Sequence, residues 1–132
     1  MTELQVESRE HTVFIPITDR VHQVALQQRW KNGVVTVYVP HTTAGVTIQE
    51  NADPDVVHDM IGALERIVPW EDRRYRHNEG NTAAHVKAAL LGTSAQCFLK
   101  KGQLQLGTWQ GIFFCEFDGP RHRKVWVTFT PS

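Results

Sequence analysis

The chain has 132 residues, of which 41% are hydrophobic and 21% are charged, and fourteen basic residues balance fourteen acidic ones. This composition predicts a single domain, residues 1–132, that can bury a real core, and the even charge argues against recruitment to nucleic acid or to an anionic membrane. The opening segment MTELQVESREH lacks the apolar stretch of a signal peptide, and no apolar run is long enough to span a bilayer. We therefore expect a cytoplasmic protein without nucleic-acid or membrane partners.

The first half of the chain predicts strands and two helices. Alternation of apolar and polar residues indicates the strands, and Pro16 inside the second of them is typical of an edge position. The first helix has Thr18 as its N-cap and Gly33 after its end, while the second opens on Asp53-Pro54 and ends before Pro69. The expected strands are 4–6, 13–17, 34–39 and 43–49, and the expected helices are 19–30 and 53–68.

The second half begins with an alanine-rich helix that follows a polar turn. Asn81 or Thr82 is expected to cap this helix through a side-chain oxygen, and Gly92 to end it in a left-handed conformation. Strands are then expected at 95–99, 103–106, 112–117 and 124–130. The total of about eight strands and three helices predicts an α+β fold, an antiparallel two-sheet β-sandwich with about three helices packed at one side.

The polar turn 78–81 is the most distinctive local feature, because His77 precedes it and His85 follows it. Free N–H groups and the positive end of the helix dipole favour an anion at this helix start. The spacing of eight residues between the histidines matches no regular zinc motif. The stretch indicates a site for a metal, a phosphate or both, and its alternative is an ordinary polar loop before a capped helix.

Other polar residues and the cysteines each have two interpretations. Glu116 interrupts an apolar strand, so its carboxylate is either paired or faces a cavity. Cys97 and Cys115 lie in apolar runs without a neighbouring base, which favours packing over catalysis. The arginines Arg73, Arg74 and Arg76 are expected to form either a phosphate-attracting cluster or a solvated loop. Four histidines are interpreted as surface residues: His11, His22, His58 and His122.

Three blocks of sequence, HTTAGVTIQENADPDV, HNEGNTAAHVKAALLG and LGTWQGIFFCEFDGPRHR, together resemble the YjbQ family. The resemblance runs from about Val13 to Thr130. It implies an α+β β-sandwich and compact homotrimers with polar pockets near subunit contacts. It also implies a secondary thiamine-phosphate synthase activity, which joins a pyrimidine methyl diphosphate to a thiazole phosphate and releases pyrophosphate.

The residues in these blocks supply groups that such a reaction needs, namely anion binding, positioning and metal ligation. The expected catalytic residues are His41, Glu50, His77, Glu79 and His85. The expected substrate-binding residues are Thr42, Thr43, Asn51, Asn81, Trp109, Arg121 and Arg123. A divalent metal (Mg, Mn, Zn or Ni) is expected on His41, His77 and His85, and Lys87 is a further anion-binding candidate.

Some of these residues also have structural interpretations, and two other functions remain open. Trp109 is equally consistent with packing, and Arg121 with an ion pair to Asp118 or Glu116. The alternative functions are a metal-dependent hydrolase or isomerase of a small phosphorylated metabolite, and a non-catalytic trimeric ligand-binding protein.

Overall fold

A computed structural model describes all 132 residues, in eight strands and three helices. The strands are β1 (Thr2–Glu7), β2 (Val13–Pro16), β3 (Gly33–Tyr38), β4 (Ala44–Glu50), β5 (Ser94–Lys100), β6 (Gln103–Gln105), β7 (Gln110–Glu116) and β8 (His122–Pro131). The helices are α1 (Thr18–Gln27), α2 (Pro54–Ile67) and α3 (Thr82–Leu91). None of them has the length and apolar composition that crossing a bilayer requires.

The strands form two antiparallel sheets, which confirms the predicted α+β fold. A five-stranded sheet has the order β1-β8-β3-β5-β6, and a three-stranded sheet has the order β2-β7-β4. The central strand β7 is buried on both faces, which explains its nearly continuous apolar sequence. Ile112 and Phe114 pack in the main core between the sheets, and Phe113 and Cys115 pack in a second core with α2 and α3.

Two of the crossings that the chain makes between the sheets meet at one end of the sandwich. Residues 39–43 lead from β3 to β4, and residues 117–121 lead from β7 back to β8. The two crossings are neighbours because β4 pairs with β7 (Ala44 opposite Glu116) and β3 pairs with β8 (Tyr38 opposite Trp126). Polar residues at these strand ends, far apart in sequence, are therefore brought to one corner.

Two helix ends differ from the prediction. The first helix ends at Gln27 rather than Trp30, because Arg29 adopts a left-handed conformation (φ 59°) and the Trp30 ring stacks on Phe129 with centroids 5.1 Å apart. Asn81 occupies the N-cap position of α3, but its side chain makes no capping hydrogen bond. The expected left-handed end of this helix is confirmed at Gly92 (φ 92°).

The two cysteines are structural, as predicted. Cys97 and Cys115 are both buried and unpaired. Burial raises the pKa of each thiol, so neither is present as the reactive thiolate at neutral pH.

Candidate functional site

A cleft of about 700 Å³ opens where the two crossings meet the start of α3. It collects nine of the twelve residues that the sequence predicts for a site: His41, Thr42, Thr43, His77, Glu79, Asn81, His85, Arg121 and Arg123. Tyr38, Thr93 and Asp118 also line it. The cleft therefore draws on all three sequence blocks, although they are far apart along the chain.

The floor of the cleft is a buried ion pair between Arg123 and Glu116, which are 5% and 0% exposed. The guanidinium donates to both carboxylate oxygens, from Nε at 2.9 Å and from Nη2. Nη2 also donates to Thr43 Oγ1 at 2.8 Å, so the pair fixes the first crossing to β8. Arg123 Nη1 has no hydrogen-bond partner in the chain and is the part of the guanidinium left for a ligand.

Glu116 is fully satisfied, as its sequence position required. Ser8 Oγ donates to Oε1 at 2.7 Å, and the N–H of Asp118 donates to Oε2 at 3.0 Å. Burial alone would raise the pKa of this carboxyl, but the hydrogen bonds from Arg123, Ser8 and Asp118 outweigh it and lower the pKa below its usual value. Glu116 is thus a charged structural residue, and of its two interpretations, paired or facing a cavity, the structure shows the paired one.

His41 has a defined tautomer. Its Nε2 accepts a hydrogen bond from the N–H of Lys124 at 2.9 Å, so in the neutral ring the proton is on Nδ1. Burial and the nearby Arg123 guanidinium lower the pKa of His41, which favours that neutral form. His41 therefore offers the cleft an N–H donor, and its Nε2 lone pair is not free for a metal.

Asp118 joins the start of α3 to the second crossing. Its Oδ2 accepts from Asn81 Nδ2 at 2.8 Å and from Arg121 Nη2 at 3.2 Å, and its backbone carbonyl accepts from Arg121 Nε at 2.9 Å. The turn that presents Asp118 requires Gly119, because a Cβ there would lie 2.1 Å from the carbonyl oxygen of Glu10. Asp118 thus holds two predicted site residues in place, and Arg121 does form the predicted pair with it.

The start of α3 carries unpaired polar groups. The N–H groups of Thr82 and Ala83 have no acceptor in the chain, since the side chain of Asn81 is turned towards Asp118. The Oδ1 of Asn81 is buried and has no partner either. A helix start in this state keeps its dipole and its donors available to an anion.

The histidines do not form a complete metal site in one chain. The rings of His77 and His85 meet edge to face, with centroids 5.5 Å apart. However, no group of three or more His, Cys, Asp or Glu side chains is arranged to hold a metal ion, and the Nε2 of His41 is occupied. The residues of a single chain therefore do not fit the expected three-histidine metal centre.

The cleft presents directed donors without an excess of positive charge. Arg123 is neutralised by Glu116, and Arg121 is paired with Asp118. Glu79 adds an exposed carboxylate, so with neutral imidazoles the cleft has no surplus of positive charge. N–H donors, rather than net positive charge, are what this cleft offers to a ligand.

A family model described as "UPF0047 protein YjbQ-like" matches residues 2–132. The chain belongs to this family. It is 47% identical to UPF0047 protein YugU of Bacillus subtilis, over 94% of this chain and 94% of that protein. It is 45% identical to UPF0047 protein MJ1081 of Methanocaldococcus jannaschii, over 93% of this chain and 88% of that protein.

Solved structures of the YjbQ-like family have the same fold. An uncharacterised conserved protein of Clostridium acetobutylicum matches with a TM-score of 0.96 at 45% identity, over 98% of this chain and all (100%) of that one. The conserved hypothetical protein TT1486 of Thermus thermophilus matches with a TM-score of 0.92 at 41% identity, over 98% of this chain and 100% of that one. The similarity spans the whole domain, including both crossings and α3.

Three predicted site residues lie away from the cleft within one chain. Glu50 is the last residue of β4 and Asn51 follows it, whereas Thr43 precedes the start of the strand, so the seven residues of β4 place them roughly 20 Å from Thr43. Trp109 lies beside them, because its carbonyl accepts a hydrogen bond from the N–H of Asn51 at 2.8 Å. Its side chain is 64% exposed. The site roles of these three residues remain predictions.

Lys87, a further anion-binding candidate in the sequence, has a structural role instead. Its side chain is 1% exposed, and its Nζ donates to Glu65 Oε1 at 2.8 Å. The pair links α3 to α2, and Lys87 does not line the cleft. It is a structural residue between the helices.

Sequence reasoning did not assign a site role to Asp118, Tyr38 or His11. His11 is exposed, which agrees with its interpretation as a surface residue, and its Nε2 lies 4.0 Å from Asp118 Oδ1 while its ring packs against Trp70. A signal for Asp118 was present, because it stands in the same turn as Arg121 between two strands that end at the cleft. Tyr38 and His11 carry no such local signal, since only the tertiary fold brings them near.

Proposed function

We propose that the cleft binds small phosphorylated metabolites and gives the chain a secondary transferase activity of the thiamine-phosphate synthase type. The observation that supports this proposal is the convergence of unpaired donors on one cleft. These donors are Arg123 Nη1 and His41 Nδ1–H, and Asn81 at the start of α3 lines the same cleft. Such donors suit phosphate oxygens in the ground state and a departing diphosphate in the transition state.

The proposed reaction requires positioning more than covalent participation by the protein. The thiazole nitrogen forms a bond to the methylene carbon of the pyrimidine, while the bond from that carbon to the diphosphate oxygen breaks. The electron pair leaves with pyrophosphate, so no oxidant or reductant is needed. Arg121, Arg123 and His41 would hold the leaving phosphates, and Thr42 offers a further hydrogen bond.

We also propose that the working form is a homotrimer in which a neighbouring copy completes the site. The amphipathic helix α2 supports this, because it has no fully buried side chain and its Ile67 is 70% exposed. Glu50, Asn51 and Trp109 form a second group of predicted site residues at the opposite end of β4 from the cleft. A neighbour could bring its own Glu50 to the cleft, where it would add a carboxylate for a divalent metal beside His77 and His85.

The proposed activity is tested by measuring thiamine phosphate formation from the two phosphorylated precursors. Wild type is compared with His85→Ala in the cleft and with His58→Ala, a matched control on the exposed surface of α2. All three proteins are assayed with and without chelator. Host synthase contamination would appear equally in every preparation.

We expect His85→Ala to lower the rate at least tenfold and His58→Ala to leave it unchanged. A loss of activity with chelator in wild type would support a divalent metal in the assembled site. Equal trace rates in all three proteins would overturn the transferase proposal.

The paired state of both cleft arginines favours a second candidate, a non-catalytic protein that binds a phosphorylated ligand. With Arg121 and Arg123 balanced by carboxylates, the cleft holds an anion by directed donors and presents no unpaired catalytic base except exposed Glu79 and the histidines. Calorimetry that detects tight binding of a phosphorylated compound without product would support this candidate. Turnover of a phosphate ester above the synthase rate would instead indicate the hydrolase or isomerase alternative.

A further inference from the structure

A second depression of about 570 Å³ adjoins the cleft and shares His77 with it. It is built from the loop between α2 and α3, residues 70–80. Its distinguishing feature is a pair of large aromatic side chains, Trp70 and Tyr75, at one border of a cleft that is otherwise polar. Such a border offers a ligand held in the cleft an adjacent apolar surface.

Both aromatic rings are held in place by contacts outside the depression. The Trp70 ring packs edge to face on His11, with centroids 4.5 Å apart and an interplanar angle of 85°. The hydroxyl of Tyr75 donates to the carbonyl of Pro69 at 3.0 Å. Because these contacts restrain the rings before any ligand arrives, stacking a ligand on them costs little additional ordering.

The loop itself is ordered by turns. The backbone N–H of Tyr75 donates to the carbonyl of Asp72 at 3.0 Å, and the N–H of Gly80 donates to the carbonyl of His77 at 3.1 Å. Asp72 also accepts two hydrogen bonds from the side chain of Arg74, at 2.9 and 2.7 Å. The aromatic border is therefore a preformed surface rather than an open chain segment.

The charges around the depression are balanced. Arg74 forms an ion pair with Asp72. The other two charged residues that line the depression, Arg73 and Glu71, carry opposite charges. Neither has an ion-pair partner within the chain. Because these charges balance, a charged ring would gain no net electrostatic attraction here. An uncharged planar ring can stack on Trp70 and Tyr75.

We propose that this depression is the subsite for an uncharged aromatic ring of the ligand whose phosphate occupies the cleft, with His77 at the junction. The ligand class is then a phosphate ester of an aromatic or heteroaromatic alcohol, rather than a sugar phosphate or an aliphatic phosphate. The inference rests on the proposed anion-binding role of the cleft. It adds a place for the aromatic ring and two specificity-determining residues that the sequence did not indicate.

The test uses calorimetric titration with inorganic phosphate, sn-glycerol 3-phosphate, phenyl phosphate and benzyl phosphate. The two aromatic esters differ in the distance from phosphate to ring, which allows for the span across His77. Wild type is compared with Trp70→Leu and Tyr75→Leu, two independent variants in case one fails to fold. Phe98→Ala is the control, because Phe98 is 69% exposed on β5 and lies on neither the cleft nor the depression.

In wild type and Phe98→Ala, at least one aromatic ester is expected to bind about tenfold more tightly than inorganic phosphate and glycerol phosphate. In Trp70→Leu and Tyr75→Leu this advantage should shrink to twofold or less while the affinity for inorganic phosphate stays constant. The subsite is overturned if the aromatic esters bind wild type no more tightly than the other two compounds. It is also overturned if their higher affinity persists in both Trp70→Leu and Tyr75→Leu. Failure of wild type to bind inorganic phosphate would overturn the anion-binding role of the cleft itself, and the subsite with it.

Discussion

Arg123 and Glu116 illustrate at the residue scale how a buried ion pair can shape a site from beneath. Two of the guanidinium nitrogens are committed to Glu116 and Thr43, which leaves Nη1 as the part available to a ligand. A lone buried charge would be very costly, but here both partners are satisfied by additional hydrogen bonds. The pair therefore provides a fixed donor with little net charge, which suits selective rather than indiscriminate anion binding.

The pair should also govern how stability depends on pH. Because the pKa of Glu116 is lowered in the folded state, its contribution is fully present above the unfolded carboxyl pKa of about 4.5 and is lost as the pH falls through the folded value. We expect Glu116→Gln to lower the free energy of unfolding at pH 7 by about 3–5 kcal/mol, since it leaves Arg123 buried without its charge partner. Urea unfolding at a series of pH values measures this difference.

The control is Asp72→Asn, which removes a pair whose Arg74 side chain is 89% exposed to solvent. Although Arg74 lowers the pKa of Asp72 to about 2, solvent screens this pair, and the urea midpoint should hardly move. The difference in the free energy of unfolding between wild type and Glu116→Gln should become smaller below pH 4. A gap that stays constant down to pH 3 would contradict the assigned charge state of Glu116.

At the scale of elements, α3 is unusual because its N-cap asparagine does not cap it. Asn81 instead donates to Asp118 at 2.8 Å, which connects the helix to the β7–β8 crossing. The helix therefore gains a tertiary contact in place of a local one, and its first N–H groups stay unpaired. The first N–H groups of any helix lack partners within it, and at the start of α3 no side chain supplies one.

This arrangement predicts an unusual response to Asn81→Asp. Aspartate is as good as asparagine at an ordinary N-cap, but here a carboxylate would face the carboxylate of Asp118 and could not donate to it. We expect the free energy of unfolding at pH 7 to fall by roughly 1–3 kcal/mol, with partial recovery near pH 5 as one carboxyl takes up a proton. Urea unfolding at the two pH values measures it.

Asn78→Asp provides the control, because Asn78 is exposed in the same polar turn. This variant should match wild type at both pH values. If Asn81→Asp behaved like Asn78→Asp, the contact between Asn81 and Asp118 would have no energetic weight.

Local sequence patterns predicted the elements well but not all of their connections. The alternating valines of β3 and the Asp53-Pro54 start of α2 are strong local signals, and both elements are present, with Asp53 Oδ1 accepting from the N–H of Asp55 at 2.9 Å. The end of α1 was misplaced because a tertiary contact, Trp30 on Phe129, decides it. Likewise, no local pattern shows that Asn81 is bonded to Asp118 rather than to its own helix.

At the scale of the whole molecule, the predicted site is divided between two places. The cleft holds nine of the predicted residues, while Glu50, Asn51 and Trp109 lie at the far end of β4. Sequence blocks identify such residues equally well whether they meet within a chain or between chains, so their separation could not be foreseen. The proposed trimer would bring the two groups together.

Mixing two inactive variants tests this arrangement. His85→Ala and Glu50→Gln should each lose at least tenfold in activity, and co-assembly in equal amounts should restore about a quarter of wild-type activity if each site joins two chains of a cyclic trimer. The quarter arises because a site needs an intact His85 on one side and an intact Glu50 on the other. Thiamine phosphate formation and light-scattering mass measure the outcome, and a trimer without any restored activity would place each site within one chain.

The hydrogen bond between Ser8 and Glu116 has a consequence for folding kinetics. It joins residues 108 positions apart, and the Arg123–Thr43 contact beside it joins residues 80 apart. Closing such long loops is entropically slow, so these contacts are expected to form late, after the strand pairs β3–β5 and β4–β7, whose members are closer in sequence, have formed. A nascent chain therefore has no cleft until its last strand has left the ribosome, and any ligand of this cleft binds only the finished fold and slows its unfolding.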